Sequence, residues 1–276
     1  MKIPDRLLPL LEMGLVQEVV RPLMAGKEAA VYIVWSDNRY CVAKVYKEAI
    51  HRSFRQKAAY TEGRVVRNSR KQRAMDKGSK YGKEQAEAAW QTAEVDNLYK
   101  LGAAGVRVPT PFVFSEGVLL MELVLDPFDQ PAPRLCDCSF TEEQAYNTHA
   151  FVMRQVVLML CAGMVHGDLS EYNVLLSKAG PVIIDLPQAV DAAQNRNAKS
   201  ILLRDVNAIS AFLGRHCPGL AESQFGPEIW NLYERAELHP DSPLTGRFRG
   251  STRQADVRGV RREINAAARE AQLRRR

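Results

Sequence analysis

Hydrophobic and polar positions along the chain set out a series of strands followed by a series of helices. Leu7, Leu8, Leu11, Leu15 and Val19 recur near helical spacing, which predicts a short amphipathic helix over 7–20. Two β-prone runs follow. One passes through Val19-Val20-Arg21-Pro22-Leu23, the other is Ala29-Ala30-Val31-Tyr32-Ile33-Val34-Trp35, and Gly26 sits between them. Ser36-Asp37-Asn38 is a turn, and Tyr40-Cys41-Val42-Ala43-Lys44-Val45-Tyr46 is the next strand. Over 60–82 the periodicity is lost among glycines and cations, which predicts a mobile loop. A helical pattern resumes over 83–101, with Ala86, Ala89, Trp90, Ala93, Leu98 and Leu101 on one side and Glu94 among them. Glycines at 102 and 105 end it. Residues 106–113 carry two prolines, and 118–124 form a buried strand that runs into Asp126-Pro127, where a linker between two lobes can begin.

The second half is mostly helical. Residues 141–164 predict a long helix with Thr141 as N-cap and Glu142 and Glu143 in the first turn. Further helices are expected over 198–214 and 226–238, and a tail with helical character over 255–273 stands outside the core. Between the first two of these helices lies the stretch richest in chemistry. Residues 165–176 read Val-His-Gly-Asp-Leu-Ser-Glu-Tyr-Asn-Val-Leu-Leu, and Val182-Ile183-Ile184-Asp185 follows soon after.

That stretch offers Asp168, Asn173 five positions on, and Asp185 directly after an apolar strand. Phosphoryl transfer needs a carboxylate to orient a hydroxyl, and an amide with a second carboxylate to hold Mg²⁺ against phosphates. The full string is the pattern of a protein-kinase-like catalytic loop. Lys44 stands in mid-strand among Val42, Ala43 and Val45, where an ammonium needs an anionic partner. Glu94 on the following helix is the candidate, although Glu84 and Glu87 lie on the same helix.

Composition changes this picture in three places. The five cysteines at 41, 136, 138, 161 and 217 lack zinc-finger spacing and read as reduced thiols. No secretory signal begins the chain, and the longest apolar run, 156–165, is far short of the ~20 residues needed to cross a bilayer. A cytoplasmic protein without membrane contact is the expectation. The net charge of +6 is unevenly placed: residues 241–276 hold ten arginines against four acids, and 52–83 hold eleven Lys and Arg against two acids. Such segments suit phosphate-rich or acidic partners, including RNA or a ribosome, or are simply solvated loop and tail.

Gly26-Lys27-Glu28-Ala29-Ala30-Val31-Tyr32, Val42-Ala43-Lys44, Trp90 with Glu94, Met121-Glu122-Leu123-Val124, His166 through Asn173, and Ile184-Asp185 occur in that order. Together they resemble the RIO family of atypical serine protein kinases over about residues 20–215. The resemblance implies an α+β, two-lobed protein-kinase-like fold: a helical segment at 1–20, a small β-rich N-lobe at 21–124, a mostly helical, truncated C-lobe at 125–240, and an Arg-rich tail at 241–276. It implies ATP and Mg²⁺ (or Mn²⁺) as cofactors, a protein hydroxyl as acceptor, autophosphorylation, and a monomer or weak homodimer. Asp168 would orient the hydroxyl. Asn173 and Asp185 would hold the metal, with a weaker carry-over of a phospho-acceptor role to Asp185. Lys44 would meet phosphates and pair with Glu94. Gly26, Lys27, Glu28, Ala29 and Val31 would belong to the phosphate-covering loop. Glu122 and Val124 would offer backbone groups to adenine, with Met121 lining the pocket.

The chain departs from ordinary kinases in Gly167 where they carry Arg, in Ser170 where they carry Lys, and in Leu186-Pro187 where they carry Phe-Gly. No Ala-Pro-Glu follows, so a long activation segment and peptide-docking helices are not expected. Two other functions share the same residues: a small-molecule phosphotransferase of the aminoglycoside or choline kinase kind, and a binding protein whose ATP hydrolysis drives release from a ribonucleoprotein.

Overall fold

A computed structural model describes residues 3–26, 29–47 and 80–248, with side chains from residue 92 onward in the helix that begins at Lys80. Lys27, Glu28, nearly all of the basic loop, and the tail beyond 248 lie outside the described residues, and so does the Trp90 side chain.

The N-lobe is a five-stranded antiparallel sheet of order β1-β2-β3-β5-β4. Its strands are β1 (Glu18–Ala25), β2 (Ala29–Ser36), β3 (Arg39–Tyr46), β4 (Pro111–Ser115) and β5 (Val118–Glu122). Asp37 and Asn38 close the β2–β3 hairpin at φ 48° and 58°. Both side chains tolerate left-handed backbone, and a two-residue turn of that hand matches the strand twist. Pro22 is accommodated because β1 is an edge strand, next to a register shift.

Alternation along β3 determines where Lys44 points. Cys41, Ala43 and Val45 pack with Val34, Val118 and Leu120 against Leu7, Leu10 and Val16 of the N-terminal segment. Lys44 and Tyr46 therefore face the opposite side, with Leu119 of β5. That side meets α2 (Lys80–Ala103) through Val95, Leu98 and Leu101 and is continuous with the C-lobe core.

The amphipathic helix expected over 7–20 is shorter than its pattern. A single 3₁₀ turn at Asp5–Leu7 leads into α1 (Leu8–Glu12), Gly14 takes φ +70°, and β1 begins at Glu18. The left-handed glycine ends the helix, and β-pairing of Glu18 with Trp35 outweighs the apparent periodicity at Leu15 and Val19. Helix α2 also starts earlier than read, at Lys80 inside the expected loop. Strand β4 was not anticipated, because the prolines at 109 and 111 argue against a strand, yet it lies at the free edge of the sheet.

In the C-lobe, α3 (Glu142–Cys161) opens with a capping box between Thr141 and Gln144. Two short antiparallel pairs follow: β6 (Met164–Val165) with β9 (Val190–Asp191), and the hairpin β7 (Val174–Ser177) with β8 (Gly180–Ile183). Helices α4 (Ala198–Leu213), α5 (Pro218–Ala221) and α6 (Phe225–Glu234) complete it. The Glu228 carboxylate accepts bonds from Thr245 and Gly246, so the first residues of the expected 241–276 tail are fastened to the C-lobe instead of standing apart from it. All five cysteines are free thiols. Among the described residues, no helix is long and apolar enough to cross a membrane.

Candidate active site

Two buried N-lobe charges, Lys44 and Glu94, meet the half-buried Asp185 of the C-lobe. Lys44 Nζ donates to Glu94 Oε1 at 2.6 Å and to Asp185 Oδ1 at 2.9 Å. Lys44 is 9% exposed and Glu94 2%. Burial alone would lower the lysine pKa, but the two carboxylates, Glu94 foremost, outweigh it and raise it above the ordinary lysine value. Tyr46 sits two residues after Lys44 on the same face, and its hydroxyl donates to the other Glu94 oxygen at 2.6 Å. One turn beyond Glu94, Asn97 Nδ2 bonds the Leu186 carbonyl at 3.1 Å, which ties α2 to the segment following Asp185.

The C-lobe share is fixed through the main chain. His166 is buried; its Nδ1 accepts from the Asp168 N–H, so Nε2 carries the proton and donates to the Ile184 carbonyl at 3.0 Å. One imidazole thus spans the catalytic loop and the strand leading to Asp185. Asn173 Nδ2 bonds the Asp168 carbonyl at 2.7 Å and Asp168 Oδ2 at 3.2 Å. This arrangement leaves Oδ1 as the amide atom for a cation. The Asn173 carbonyl in turn accepts from Ile184 N–H at 3.0 Å, which holds the two metal-side residues in register.

The two aspartates differ electrostatically. Asp185, at φ +66°, is held below the usual carboxylate range: burial pushes its pKa up, and the Lys44 ammonium more than offsets this. Asp168 is pushed above its usual range by burial and by the charge on Asp185, opposed by His166, Arg204 and Asn173. One carboxylate stays ionised while the other binds a proton more readily.

Gly167 has a steric reason to be glycine. It adopts φ +88°, and a Cβ there would stand 2.3 Å from the Gln188 carbonyl oxygen. Behind it, buried Asp205 of α4 accepts from the Gly167 N–H at 2.8 Å and from Arg204 at 3.0 Å, and Arg204 also donates to the Gly167 carbonyl.

At the hinge, Glu122 does more than was expected of its backbone. Its N–H donates to the Thr110 carbonyl, and its carboxylate takes a two-pronged bond from Arg107 at 2.6 and 3.0 Å. Val124 is buried, its carbonyl accepts from Ala132 N–H, and its own N–H makes no bond among the described residues, as an adenine contact requires. Met121 pairs with Val42 across the sheet and packs on the core. Gly26 closes the β1–β2 hairpin through its N–H to Ala29 O at 2.9 Å, and Val31 pairs with Lys44.

A sequence model of the RIO domain matches residues 30–224 of this chain. The chain belongs to the RIO family. Its RIO relatives include the RIO-type serine/threonine-protein kinase Rio1 of Haloferax volcanii, 36% identical over 70% of this chain and 62% of that protein. Another is the serine/threonine-protein kinase rio1 of Schizosaccharomyces pombe, 31% identical over 76% of this chain and 41% of that protein. The human serine/threonine-protein kinase RIO1 is 30% identical over 76% of this chain and 36% of its own length. The chain thus matches between about a third and three fifths of the length of these relatives. The RIO fold is also seen in the solved Rio2 kinase–ADP/Mg²⁺–phosphoaspartate complex from Chaetomium thermophilum, with a TM-score of 0.56 and 20% identity over 97% of this chain and 75% of that one.

Within the RIO framework, four structural contributors escaped the sequence reading: Tyr46, Asn97, Arg107 and Asp205. Each had a signal. Tyr46 is two residues from Lys44 on a strand, Asn97 is three from Glu94 on a helix, and Asp205 interrupts the apolar stripe of Ile201, Leu202, Val206 and Ile209.

Proposed function

We propose that the chain is an ATP- and Mg²⁺-dependent serine/threonine protein kinase of RIO type, acting in the cytoplasm, that transfers the γ-phosphoryl group of ATP to a protein hydroxyl and phosphorylates itself. The observation that carries this reading is the meeting of Lys44, Glu94 and Asp185, from three separate parts of the chain, beside the Asp168–Asn173 loop. Asn173 Oδ1 and the Asp185 carboxylate are the hard oxygen donors that suit Mg²⁺, or Mn²⁺, whose remaining positions are taken by phosphate oxygens and water. The ion, when bound, neutralises charge on the phosphates. Lys44 stays charged beside them. Asp168, with its raised pKa, orients the acceptor hydroxyl and receives its proton. Membership of the RIO family favours a protein acceptor over a small-molecule one.

A second reading, an ATP-driven switch on RNA or a ribosome, is favoured by charge: the basic clusters at 52–83 and 241–276 sit on a chain whose first 240 residues are neutral overall. In that reading Asp185 accepts the phosphoryl group transiently.

The deciding experiment incubates the full chain with γ-labelled ATP and Mg²⁺, alone and with candidate proteins, ribosomes and an aminoglycoside. Hydroxylamine-stable label on Ser or Thr supports the kinase. Hydroxylamine-labile label that Asp185→Ala abolishes, with phosphate release, supports the switch, and label on the aminoglycoside contradicts both. In Asp168→Ala, transfer falls about 10³-fold while ATP still binds; wild-type transfer by this variant would refute the role given to Asp168.

A further inference from the structure

The site as described is short of positive charge. Lys44 already answers two carboxylates, and Ser170 brings no charge to the catalytic loop. Arg204 is engaged by Gly167 O and Asp205. A nucleotide triphosphate carries several negative charges that one divalent ion does not cancel.

Arg134 is placed to make up the difference. It lies between the hinge and α3, and its backbone bridges to Leu175 of β7, two residues beyond Asn173. Its carbonyl accepts from Asp137 N–H at 3.0 Å and from the Cys138 thiol. The main chain is therefore anchored in the C-lobe. The side chain crosses to the other lobe, where Nη2 lies against Met24 Sδ, two residues before Gly26. A thioether is a weak acceptor, and among the described residues no carboxylate pairs with this half-buried guanidinium. Arg134 thus stands between the strand entering the glycine turn and the strand that follows Asn173, and these two elements bracket the path of the phosphates.

We propose that Arg134 is a phosphate ligand for the nucleotide, its guanidinium reaching from the C-lobe to the mouth of the glycine turn to hold non-bridging phosphate oxygens. This inference rests on the kinase reading. The planar fork of donors gives directed bonds to phosphate oxygens.

The test is calorimetric titration of the full chain with ATP and with adenosine, each in Mg²⁺, for wild type, Arg134→Ala, Arg134→Lys and Met24→Ala, with melting temperatures to confirm folding. Arg134→Ala is expected to weaken ATP by about tenfold or more, the loss of a charge-assisted bond, and to leave adenosine within about twofold. Arg134→Lys falls between, and Met24→Ala keeps the wild-type ratio of ATP to adenosine affinity. Equal weakening of ATP and adenosine in Arg134→Ala would make the residue a strut between lobes and overturn the proposal, as would unchanged ATP affinity. Wild type binding neither ligand would instead refute the kinase reading beneath it, before any variant is compared.

Discussion

Lys44 in the N-lobe and Asp168 in the C-lobe are fixed by different kinds of bond. Lys44 is held by charge alone: two carboxylates from distant parts of the chain converge on one ammonium, and Tyr46 steadies the far oxygen of one of them. The loop of Asp168 is held by the main chain, through His166 to Ile184 O, Asp205 to Gly167 N–H, Asn173 Nδ2 to Asp168 O, and Ile184 N–H to Asn173 O. On the proposed function, a metal ion and phosphates would rearrange the first arrangement, because Asp185 would serve both Lys44 and the ion. The second is built before ligand arrives. The lesson is that the Asp168 loop is fixed without any ligand, whereas on the proposed function the charges around Lys44 would have to shift to admit the nucleotide.

Three perturbations separate the two halves. The largest effect is expected from Lys44→Met, which leaves buried Glu94 facing no cation. Stability should fall by about 3–5 kcal/mol in chemical denaturation, and phosphoryl transfer should be lost with it. Lys44→Met combined with Glu94→Gln should recover most of the stability and none of the activity; recovery of activity would break the distinction. Next is Gly167→Ala, which attacks the half held by shape. Left-handed strain and the clash with Gln188 O together cost about 2–4 kcal/mol, measured as a lowered unfolding midpoint. A stable, active Gly167→Ala protein would show that the loop is looser than its bonds suggest.

The smallest effect concerns the core beneath the C-lobe half. His149 of α3 is buried, with Nε2 2.8 Å from Ser210 Oγ on α4 and its ring against Phe225 of α6. Burial lowers its pKa from 6.5 to about 4. The folded state therefore keeps it neutral, and its contribution is fully present above pH 6.5 and is lost as pH falls from there toward 4. Between pH 7.5 and 5 this histidine alone should remove about 2 kcal/mol. Denaturation curves at the two pH values should show that loss in wild type and a smaller one in His149→Gln, and equal slopes would remove His149 as the cause.

The elements with strong local patterns were legible in sequence. The helix that became α3, with its Thr141 cap, and the β2–β3 hairpin with its Asp37-Asn38 turn follow from local chemistry. So did the pairing of Lys44 with Glu94, since a buried ammonium demands an anion. What escaped was decided at a distance. The first helix stopped at Glu12 because β1 had a sheet to join, and strand β4 formed despite proline because it sits at an edge. Asp205 and Arg107 show the same limit. Each is a charged side chain whose partner, Gly167 in one case and Glu122 in the other, is brought near only by the fold.

The central claim is that Lys44, Asn173 and Asp185 serve one nucleotide and one divalent ion. Titration of ATP into the full chain, with and without Mg²⁺, for wild type and Asp185→Ala, tests it most directly. The account predicts that Mg²⁺ tightens ATP binding in wild type and that Asp185→Ala abolishes this enhancement. ATP binding that ignores Mg²⁺ in wild type, or an enhancement that survives in Asp185→Ala, would contradict it.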